Sequence, residues 1–253
     1  MIDFEQIKWI NAYESPISIA LDGVAECKRL EKIGRTCYAS TDKITNESYD
    51  SFLRSIIARG HESVIEHGSM TFEFVTDRAT ANEMVRHRLA SYSQESTRYV
   101  AYGKKKPLEL ILPADWPAAI SDTVTLSDIS DIDLLTVINN TIESENDRKP
   151  YEIFASAAYL CARGYFSLLA CGWPAESARH ILPQCTATRI VMTANYREWR
   201  HFFKMRCTKA AHPNIRLLAK SVLVDAHACI PVIFDDLYEE FIKTDPQFYT
   251  FEA

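Results

Sequence analysis

The segment from Arg86 to Tyr99 holds a dense group of side chains suited to binding a large anion. It opens with the triplet Arg86-His87-Arg88. A polar run follows and supplies further donors: Ser91, Ser93, Gln94, Ser96 and Arg98. Such donors suit phosphate oxygens and the edge of a pyrimidine. Glu83 lies one helical turn before the triplet, where a carboxylate can accept from an imide or orient an arginine. The segment therefore predicts a binding site for an anionic ligand.

The element that carries the triplet is predicted to be a helix. Asp77 is a plausible N-cap for a helix that runs to about Leu89, and the polar stretch Ser91–Thr97 is predicted to be a loop. Consecutive helical residues point about 100° apart, so the three basic side chains cannot serve one salt bridge. Alternatively, the segment binds no ligand and is a charged helix end followed by a solvated loop. Each cation near a helix C-terminus stabilises the helix by roughly 0.3–1 kcal/mol.

The surrounding pattern alternates helices with short strands. Residues 22–58 are predicted to form helical segments with a break near Gly34, and Gly60 follows as a stop. Met70–Val75 alternates, with Met70, Phe72 and Phe74 on one face, which predicts a strand. Further strands are predicted over 108–112 and 190–193, and further helices over 151–170, 174–183, 196–205 and 214–229. Residues 117–149 are predicted to form an acidic surface insertion.

Composition excludes several classes of protein. The chain has 253 residues, with 28 basic against 34 acidic side chains and a net charge of −6. This balance argues against a general nucleic-acid binder, although clustered arginines can still make a local positive cleft. The N-terminus lacks a basic region followed by an apolar run, and the apolar stretch 151–171 is interrupted by Arg163 and Gly164. We therefore expect a cytoplasmic protein with neither signal peptide nor membrane span.

Two groups of residues suggest chemistry that their spacing does not support. The seven cysteines include no C-x-x-C pair, which is typical of reduced thiols and gives no zinc spacing. His61 and His67 are six residues apart, not four as in H-E-x-x-H, so no metal site is predicted. Cys185 has no adjacent histidine and is interpreted as a buried small residue.

No G-x-G-x-x-G occurs, so a dinucleotide would have to be bound in another way.

Four blocks in the same order resemble the flavin-dependent thymidylate synthase family. The family signature, R-H-R then seven residues then S, matches Arg86 through Ser96. The upstream block G-H-E-(S/T)-x-x-E-H matches residues 60–67, and A-R-x-x-L-P matches residues 178–183. The last block matches Asn195-Tyr196-Arg197, His201 and Met205-Arg206. The resemblance covers most of residues 25–230.

The resemblance implies an architecture and an activity. The fold would be α+β, with an antiparallel sheet flanked by helices, in a single domain over residues 1–253. The enzyme would methylate dUMP to dTMP, with FAD as cofactor and with NADPH and 5,10-methylenetetrahydrofolate as co-substrates. It would assemble as a homotetramer whose active sites are shared between subunits. It would bind neither nucleic acid nor membrane.

The resemblance also implies roles for individual residues. FAD would be held by Ser63, Arg86, His87, Arg88, Gln94, Asn195, Arg197 and His201. The substrate dUMP would be held by Glu83, Arg86, Gln94, Ser96, Arg98, Arg179 and Arg206. Arg206 would be catalytic, because it would polarise the uracil ring so that C5 becomes nucleophilic. His61 would lie in the pocket shared by folate and flavin.

The chain departs from the family pattern in places. Gln94 stands where some members carry glutamate, and it can still form a hydrogen bond to a phosphate or a sugar. After Arg206, the stretch 207–214 replaces an expected histidine or Gln-Glu pair near the flavin. The identity of the residue that contacts the flavin there is therefore open.

The sequence allows two alternatives to this activity. A related enzyme could transfer a different one-carbon unit, such as hydroxymethyl, to the same base. A protein of another class, a nucleotide- or single-strand-binding module, could use the segment from Arg86 to Arg98, with Tyr92 and Tyr99 stacking on bases. Such a module would show strong salt dependence and no flavin.

Overall fold

The computed structural model describes residues 7–20, 22–103, 106–115 and 150–245. The predicted acidic insertion, 117–149, lies entirely outside the described residues, as do Lys104 and Lys105. Contacts between residues divide the chain into two compact units. The first unit consists of Met1–Ala12, Thr76–Ala79 and Glu95–Thr188, and the second of Tyr13–Val75, Thr80–Gln94 and Arg189–Ala253.

The second unit is built on a four-stranded antiparallel sheet with the strand order β2-β3-β6-β4. Its strands are β2 (Tyr13–Ser18), β3 (Ser69–Asp77), β4 (Ala90–Gln94) and β6 (Ala187–Asn195). The last two residues of β3, Thr76 and Asp77, and the first two of β6, Ala187 and Thr188, belong to the first unit. Met70, Phe72 and Phe74 are buried on the same strand, as their alternation predicts.

Helices pack around this sheet. They are α1 (Gly23–Thr36), α2 (Ser48–Ala58), α3 (Arg78–Met84), α6 (Tyr196–Arg206), α7 (Pro213–Cys229) and α8 (Pro231–Tyr238). Short 3₁₀ turns cover Thr41–Lys43 and Glu62–His67, and a π turn covers Glu239–Lys243. Helix α6 begins at an N-cap, where the side chain of Asn195 accepts a hydrogen bond from the backbone N–H of Glu198 at 2.8 Å.

Aromatic side chains fix α6 against the sheet. Trp199 is fully buried, and its indole N–H donates to the carbonyl oxygen of Met70 at 3.1 Å. The Trp199 ring meets Phe72 edge-on at 5.5 Å and stacks on Phe203 at 5.8 Å. Rings at these separations contribute about 0.5–1.5 kcal/mol per pair beyond their burial. The position of α6, which carries several predicted site residues, is thereby set by the core.

The predicted break near Gly34 is confirmed, and it lies slightly later in the chain. Helix α1 continues through Gly34 to Thr36, and the gap before α2 covers residues 37–47. A Cβ atom at Gly34 would lie 2.7 Å from the Phe52 ring and 3.1 Å from a Val64 methyl group. Glycine is present there because α1 approaches its neighbours closely, not because the helix ends.

The first unit contains a two-stranded parallel pair and two helices. Strand β1 (Ile7–Ile10) pairs in parallel with β5 (Leu108–Ile111), in register from Ile7 with Leu108. Helix α4 spans Pro150–Ala170, and the short α5 spans Ala175–Ala178 before a 3₁₀ turn over Arg179–Ile181. The core of this unit gathers Ile7, Tyr102, Leu108, Leu110, Ala158, Tyr159, Ala162, Tyr165 and Ala178. The edge-on contact of Tyr102 with Tyr165, at 5.8 Å between ring centroids, lies within it.

One segment of α4 is long and apolar enough to cross a membrane. This segment, Ile153–Ala170, has a mean hydropathy of 1.3, and 28% of it is buried. Four of its buried residues, Ala158, Tyr159, Ala162 and Tyr165, belong to the core of the first unit. Length and composition alone are weak grounds for a membrane span, because core helices of water-soluble proteins meet the same criteria.

The predicted fold class is confirmed: the protein is α+β, with a four-stranded antiparallel sheet and helices. The predicted strand at 108–112 and the helices at 151–170, 196–205 and 214–229 correspond to β5, α4, α6 and α7. No sequence pattern predicts β1, β2 or the parallel β1–β5 pair. The single domain remains a prediction.

Candidate active site

The basic triplet lies in a turn: the predicted helix after Asp77 is confirmed at its start, but its predicted end at about Leu89 is wrong. Helix α3 ends at Met84, and β4 begins at Ala90. The hydroxyl of Tyr92 donates to the carbonyl oxygens of Met84 at 2.7 Å and of His87 at 3.0 Å. These bonds satisfy carbonyl groups that a longer helix would have used, and so stabilise the turn.

The predicted loop at Ser91–Thr97 is wrong over its first half. Ser91–Gln94 belongs to β4, which pairs with β6 in a register that joins Tyr92 to Met192 and Gln94 to Ile190. Strand β4 lies at the edge of the sheet, and its alternate side chains are exposed. An edge strand tolerates the polar residues that made this segment resemble a loop.

The turn orients the three residues of the triplet differently. His87 is 6% exposed, whereas Arg86 and Arg88 are exposed. Within the part of the chain that is described, the side chains of Arg86 and Arg88 form no hydrogen bond or ion pair. The triplet therefore presents two unneutralised guanidinium groups outward and one imidazole inward.

Arg206, at the end of α6, joins Glu83 and His87. Its Nη1 donates to Oε2 of Glu83 at 2.7 Å, and its Nη2 donates to the Glu83 carbonyl oxygen at 3.1 Å. Its Nε donates to Nε2 of His87 at 3.1 Å. Arg206 is 119 residues from His87 and 123 from Glu83 in the sequence, and these three residues, predicted for nucleotide and flavin binding, thus form one hydrogen-bonded cluster.

Glu198 extends this cluster on the other side of His87. Its Oε1 lies 3.2 Å from Nδ1 of His87, and both side chains are almost fully buried. Burial, followed by the positive charge of Arg206 and by His201, lowers the pKa of His87 to about 4. Burial raises the pKa of Glu198, and the nearby His201 opposes that shift. His87 is therefore a neutral imidazole near pH 7.

The potential ligand atoms of His87, Glu198 and His201 lie within 4.8 Å of one another, a spacing that could hold a metal ion. However, His87 uses Nε2 to accept from Arg206, and that guanidinium carries a full positive charge 3.1 Å away. A divalent cation would be repelled by this charge and would have to displace the His87–Glu198 contact. We interpret His87 and Glu198 as members of the hydrogen-bonded cluster around Arg206, not as metal ligands.

An open cleft lies beside the triplet. Its volume is ≈ 420 Å³, and it is lined by Ser69, Arg88, Leu89, Ala90, Ser91, Thr193, Ala194 and Asn195. The exposed guanidinium of Arg88 gives the cleft a positive edge. Hydroxyl and amide groups from β3, β4 and β6 provide polar lining. The cleft therefore suits an anionic ligand with several hydrogen-bonding groups.

The 3₁₀ turn over Glu62–His67 carries Ser63, whose side chain is exposed. Three ion pairs join this turn to α6, and the two shorter ones are hydrogen-bonded. Nε of Arg200 donates to Glu62 at 3.1 Å, and Nη1 of Arg197 donates to Glu66 at 2.5 Å. His61, just before the turn, has its Nδ1 3.1 Å from the hydroxyl of Tyr38. These contacts thus join the turn that carries the predicted flavin residue Ser63 to the helix that carries the predicted flavin residue Arg197.

The remaining predicted nucleotide residues lie in the first unit. Nη1 of Arg179 donates to Oγ1 of Thr97 at 3.3 Å, and Oγ of Ser96 accepts from the backbone N–H of Arg98 at 3.3 Å. The exposed guanidinium of Arg98 lies 5.5 Å from the Tyr99 ring. Arg179 therefore lies against the segment that carries Ser96 and Arg98.

Three residues with notable contacts or burial were not predicted from the sequence. Tyr38 contacts His61, and Glu198 contacts His87. Nη1 of Arg78, in the first unit, is buried without a hydrogen-bond partner among the described residues. The sequence does contain a local pattern at Glu198, because Asn195-x-x-Glu198 fits the capping box. That pattern predicts the start of a helix, however, and not a functional site.

Cys185 is not a suitable nucleophile. Burial raises the pKa of its thiol to about 12, so the sulfur stays protonated near neutral pH. This agrees with its interpretation as a buried small residue.

The chain is similar to known proteins over most of its length. The family model described as "Thymidylate synthase complementing protein" matches residues 24–232. A flavin-dependent thymidylate synthase of Geobacter sulfurreducens is 35% identical over 209 residues, which are 80% of this chain and 78% of the relative. Proteins of the same name from Mycobacteroides abscessus and Mycobacterium tuberculosis are 36% and 35% identical over 215 residues, 82% of this chain and 78% of each relative. With its four sequence blocks and this extent of identity, the chain belongs to the flavin-dependent thymidylate synthase family.

Proposed function

We propose that this flavin-dependent thymidylate synthase reductively methylates dUMP to dTMP, with 5,10-methylenetetrahydrofolate as carbon donor and NADPH as the source of reducing equivalents. The observation that carries the proposal is the cluster of Arg206, Glu83 and His87, which lies within the residues matched by the family. The enzyme class, a methyltransferase that uses a flavin, follows from family membership.

The described residues fit FAD. The exposed guanidinium groups of Arg86 and Arg88 have no partner in the described chain and can neutralise the cofactor's phosphates. The cleft beside Arg88 offers hydroxyl and amide groups. FAD would be held by Ser63, Arg86, His87, Arg88, Gln94, Asn195, Arg197 and His201. When bound, FAD supplies the hydride chemistry that amino-acid side chains lack.

Arg206 is the residue we assign to catalysis on dUMP. Its guanidinium is already oriented by Glu83 and His87, so little reorganisation is needed when the substrate binds. A donor at N3 and O4 of the uracil would polarise the ring and raise the nucleophilicity of C5. Glu83, Arg86, Gln94, Ser96, Arg98 and Arg179 would complete the dUMP site, with guanidinium groups directed at the phosphate.

His61 is assigned to the pocket shared by folate and flavin. The hydroxyl of Tyr38 holds its Nδ1 at 3.1 Å, which fixes the plane of the ring. A fixed, exposed imidazole provides a flat surface for a conjugated ring.

The assembly we propose is a homotetramer with shared active sites, acting in the cytoplasm as a single functional domain, without nucleic acid or membrane as a partner. Large apolar side chains next to the site support an additional subunit there. Leu89, which lines the cleft, is 76% exposed, and Met205, next to Arg206, is 54% exposed. A neighbouring subunit would remove this apolar area from water.

Product analysis tests the proposed reaction. The purified protein would be incubated with FAD, NADPH, 5,10-methylenetetrahydrofolate and dUMP, and the nucleotides would be identified by mass spectrometry. We expect dTMP, formed only when all components are present. A hydroxymethylated nucleotide would establish the alternative one-carbon transfer, and unchanged dUMP with a flavin-loaded protein would contradict both reactions.

A further inference from the structure

His87 lies between a group that can only donate hydrogen bonds and a group that accepts them. On one side, Nε of Arg206 lies 3.1 Å from Nε2 of the imidazole. On the other, Oε1 of Glu198 lies 3.2 Å from Nδ1. His87, with 6% of its surface exposed, and Glu198, with 5%, are shielded from water, so each contact substitutes for hydration that the ring has lost.

These contacts determine which nitrogen carries the hydrogen. A guanidinium has five N–H donors and no acceptor, so Nε2 must present its lone pair to Arg206. The neutral ring then carries its hydrogen on Nδ1, where a carboxylate oxygen is placed to accept it. If the ring adopted the opposite tautomer, a hydrogen on Nε2 would face a donor, and a lone pair on Nδ1 would face a carboxylate.

We propose that Glu198 is a positioning residue: it holds His87 in the Nδ1–H tautomer, so that Nε2 accepts from Arg206 and keeps the guanidinium oriented for dUMP. The orientation of Arg206 then depends on two supports. Glu83 binds the Nη1 and Nη2 groups, and the Glu198–His87 pair binds Nε. All three nitrogens of the guanidinium are thereby engaged. This inference rests on the proposed role of Arg206 in the nucleotide site.

The other groups around His87 are compatible with this arrangement. The Phe202 ring lies edge-on at 4.9 Å and offers no competing acceptor, and the His201 ring is 5.6 Å away. Tyr92 donates to the carbonyl oxygen of His87 and leaves both ring nitrogens to Glu198 and Arg206. The neutral state of His87 near pH 7 agrees with a ring that donates from one nitrogen and accepts at the other.

The tautomer of His87 can be measured without any variant of Glu198. Nitrogen-15 NMR of the whole protein, labelled at histidine, separates protonated from unprotonated ring nitrogens, and the spectrum of His87→Gln identifies the His87 signals. We expect Nδ1 in the protonated range and Nε2 in the unprotonated range. A hydrogen on Nε2 in the wild-type protein would overturn the proposal. The measurement needs no turnover, so it stands even if the proposed reaction is not observed.

Two substitutions at Glu198 test its effect on the nucleotide site. In Glu198→Gln the carboxamide oxygen can still accept from Nδ1, because the Arg206 donor disfavours the other tautomer, so the NMR signals and dUMP affinity should stay close to wild type. In Glu198→Ala the ring loses its partner, and we expect the Kd for dUMP, measured by calorimetry on the FAD-loaded protein, to rise about tenfold. Equal affinities in Glu198→Ala and wild type, or equal losses in both variants, would overturn the positioning role.

A matched control separates positioning from general stability. Glu31 is also a buried carboxylate of the second unit, and it accepts from Arg35 at 2.8 Å and from Ser48 at 2.9 Å. Glu31→Ala should lower the melting temperature but leave the His87 signals and the Kd for dUMP unchanged. If Glu31→Ala weakens dUMP binding as much as Glu198→Ala does, the effect of Glu198 is one of fold stability, and the proposal fails.

Discussion

Arg206 holds Glu83 through two atoms of that residue: Nη1 lies 2.7 Å from the carboxylate Oε2, and Nη2 lies 3.1 Å from the backbone carbonyl oxygen. A contact to the backbone fixes the guanidinium to the end of α3, not only to a mobile side chain. The plane of the guanidinium is therefore set before any substrate binds. This preorganisation is the structural basis of the role assigned to Arg206.

Replacing Arg206 by lysine should separate catalysis from folding. An ammonium group cannot reach Glu83 and His87 together with the fork geometry of a guanidinium. We expect kcat for dTMP formation to fall on the order of 10²-fold, with a melting temperature close to wild type. Arg189→Lys, at a half-exposed arginine that pairs with Glu73, is the control and should retain full activity. Equal losses of activity in the two variants would contradict the assignment.

Acid should destabilise the protein partly through His87. Its pKa is about 4 in the folded chain and 6.5 in the unfolded chain, mainly because of burial and then because of Arg206 and His201. Between these values the unfolded state binds more protons, so the free energy of unfolding falls as the pH decreases from 6.5 to 4.

The His87 contribution can be isolated by substitution. His87→Gln should show a shallower dependence of melting temperature on pH across this window, whereas His180→Gln, at an exposed histidine, should match wild type. An unchanged slope in His87→Gln would show that the ring is not a buried neutral imidazole.

Glu14 is expected to destabilise the protein at alkaline pH. Burial raises the pKa of its carboxyl to about 7, Ser221 opposes this by donating to Oε1 at 2.8 Å, and Asp225 adds to it. The folded state therefore keeps a proton that the unfolded state loses near pH 4.5, and stability falls as the pH rises from 4.5 through 7.

Glu14→Gln should remove this loss. We expect its melting temperature to exceed that of wild type at pH 8, by about 2–4 °C for each kcal/mol recovered, and to approach wild type at pH 4. Glu47→Gln, at an exposed glutamate, should show no such pH-dependent difference. A lower melting temperature of Glu14→Gln at pH 8 would mean that the ionised carboxylate is needed by the fold.

Arg200 is expected to be among the most sensitive charged positions for folding. Its side chain is 2% exposed, and its guanidinium binds Asp236 through two bonds of 2.6 and 2.7 Å as well as Glu62 and a backbone carbonyl. Arg200→Met leaves Glu62 and that carbonyl without their donor, which typically costs about 3–5 kcal/mol. Urea unfolding would measure this loss. Arg189→Met should lose at most about 1 kcal/mol, because its pair is half-exposed.

The elements with strong periodicity could be predicted from the sequence. The alternation of Met70, Phe72 and Phe74 predicts β3, and all three residues are buried. The predicted helices 196–205 and 214–229 match α6 and α7 within one residue of their ends, and the side chains of Asn195 and His212 cap these helices. Local signals were sufficient in these cases because burial and capping favour the same structure.

Elements that depend on distant partners could not be predicted. Strand β4 is polar and resembles a loop, and it becomes a strand only because β6 pairs with it. The end of α3 at Met84 depends on the hydroxyl of Tyr92, eight residues later. Glu198 and His87 are 111 residues apart, and no local pattern joins them. The sequence blocks indicated which residues to consider, but not how Arg206, Glu83, His87 and Glu198 contact one another.

The shared use of one site by flavin and dUMP is the central claim, and an anaerobic visible spectrum tests it most directly. The protein would be loaded with FAD and titrated with NADPH, with and without dUMP. We predict a bound flavin whose absorbance bleaches at a rate that depends on dUMP. An intact, folded protein that retains no flavin and shows no bleaching would contradict the claim and would favour a nucleotide-binding module instead.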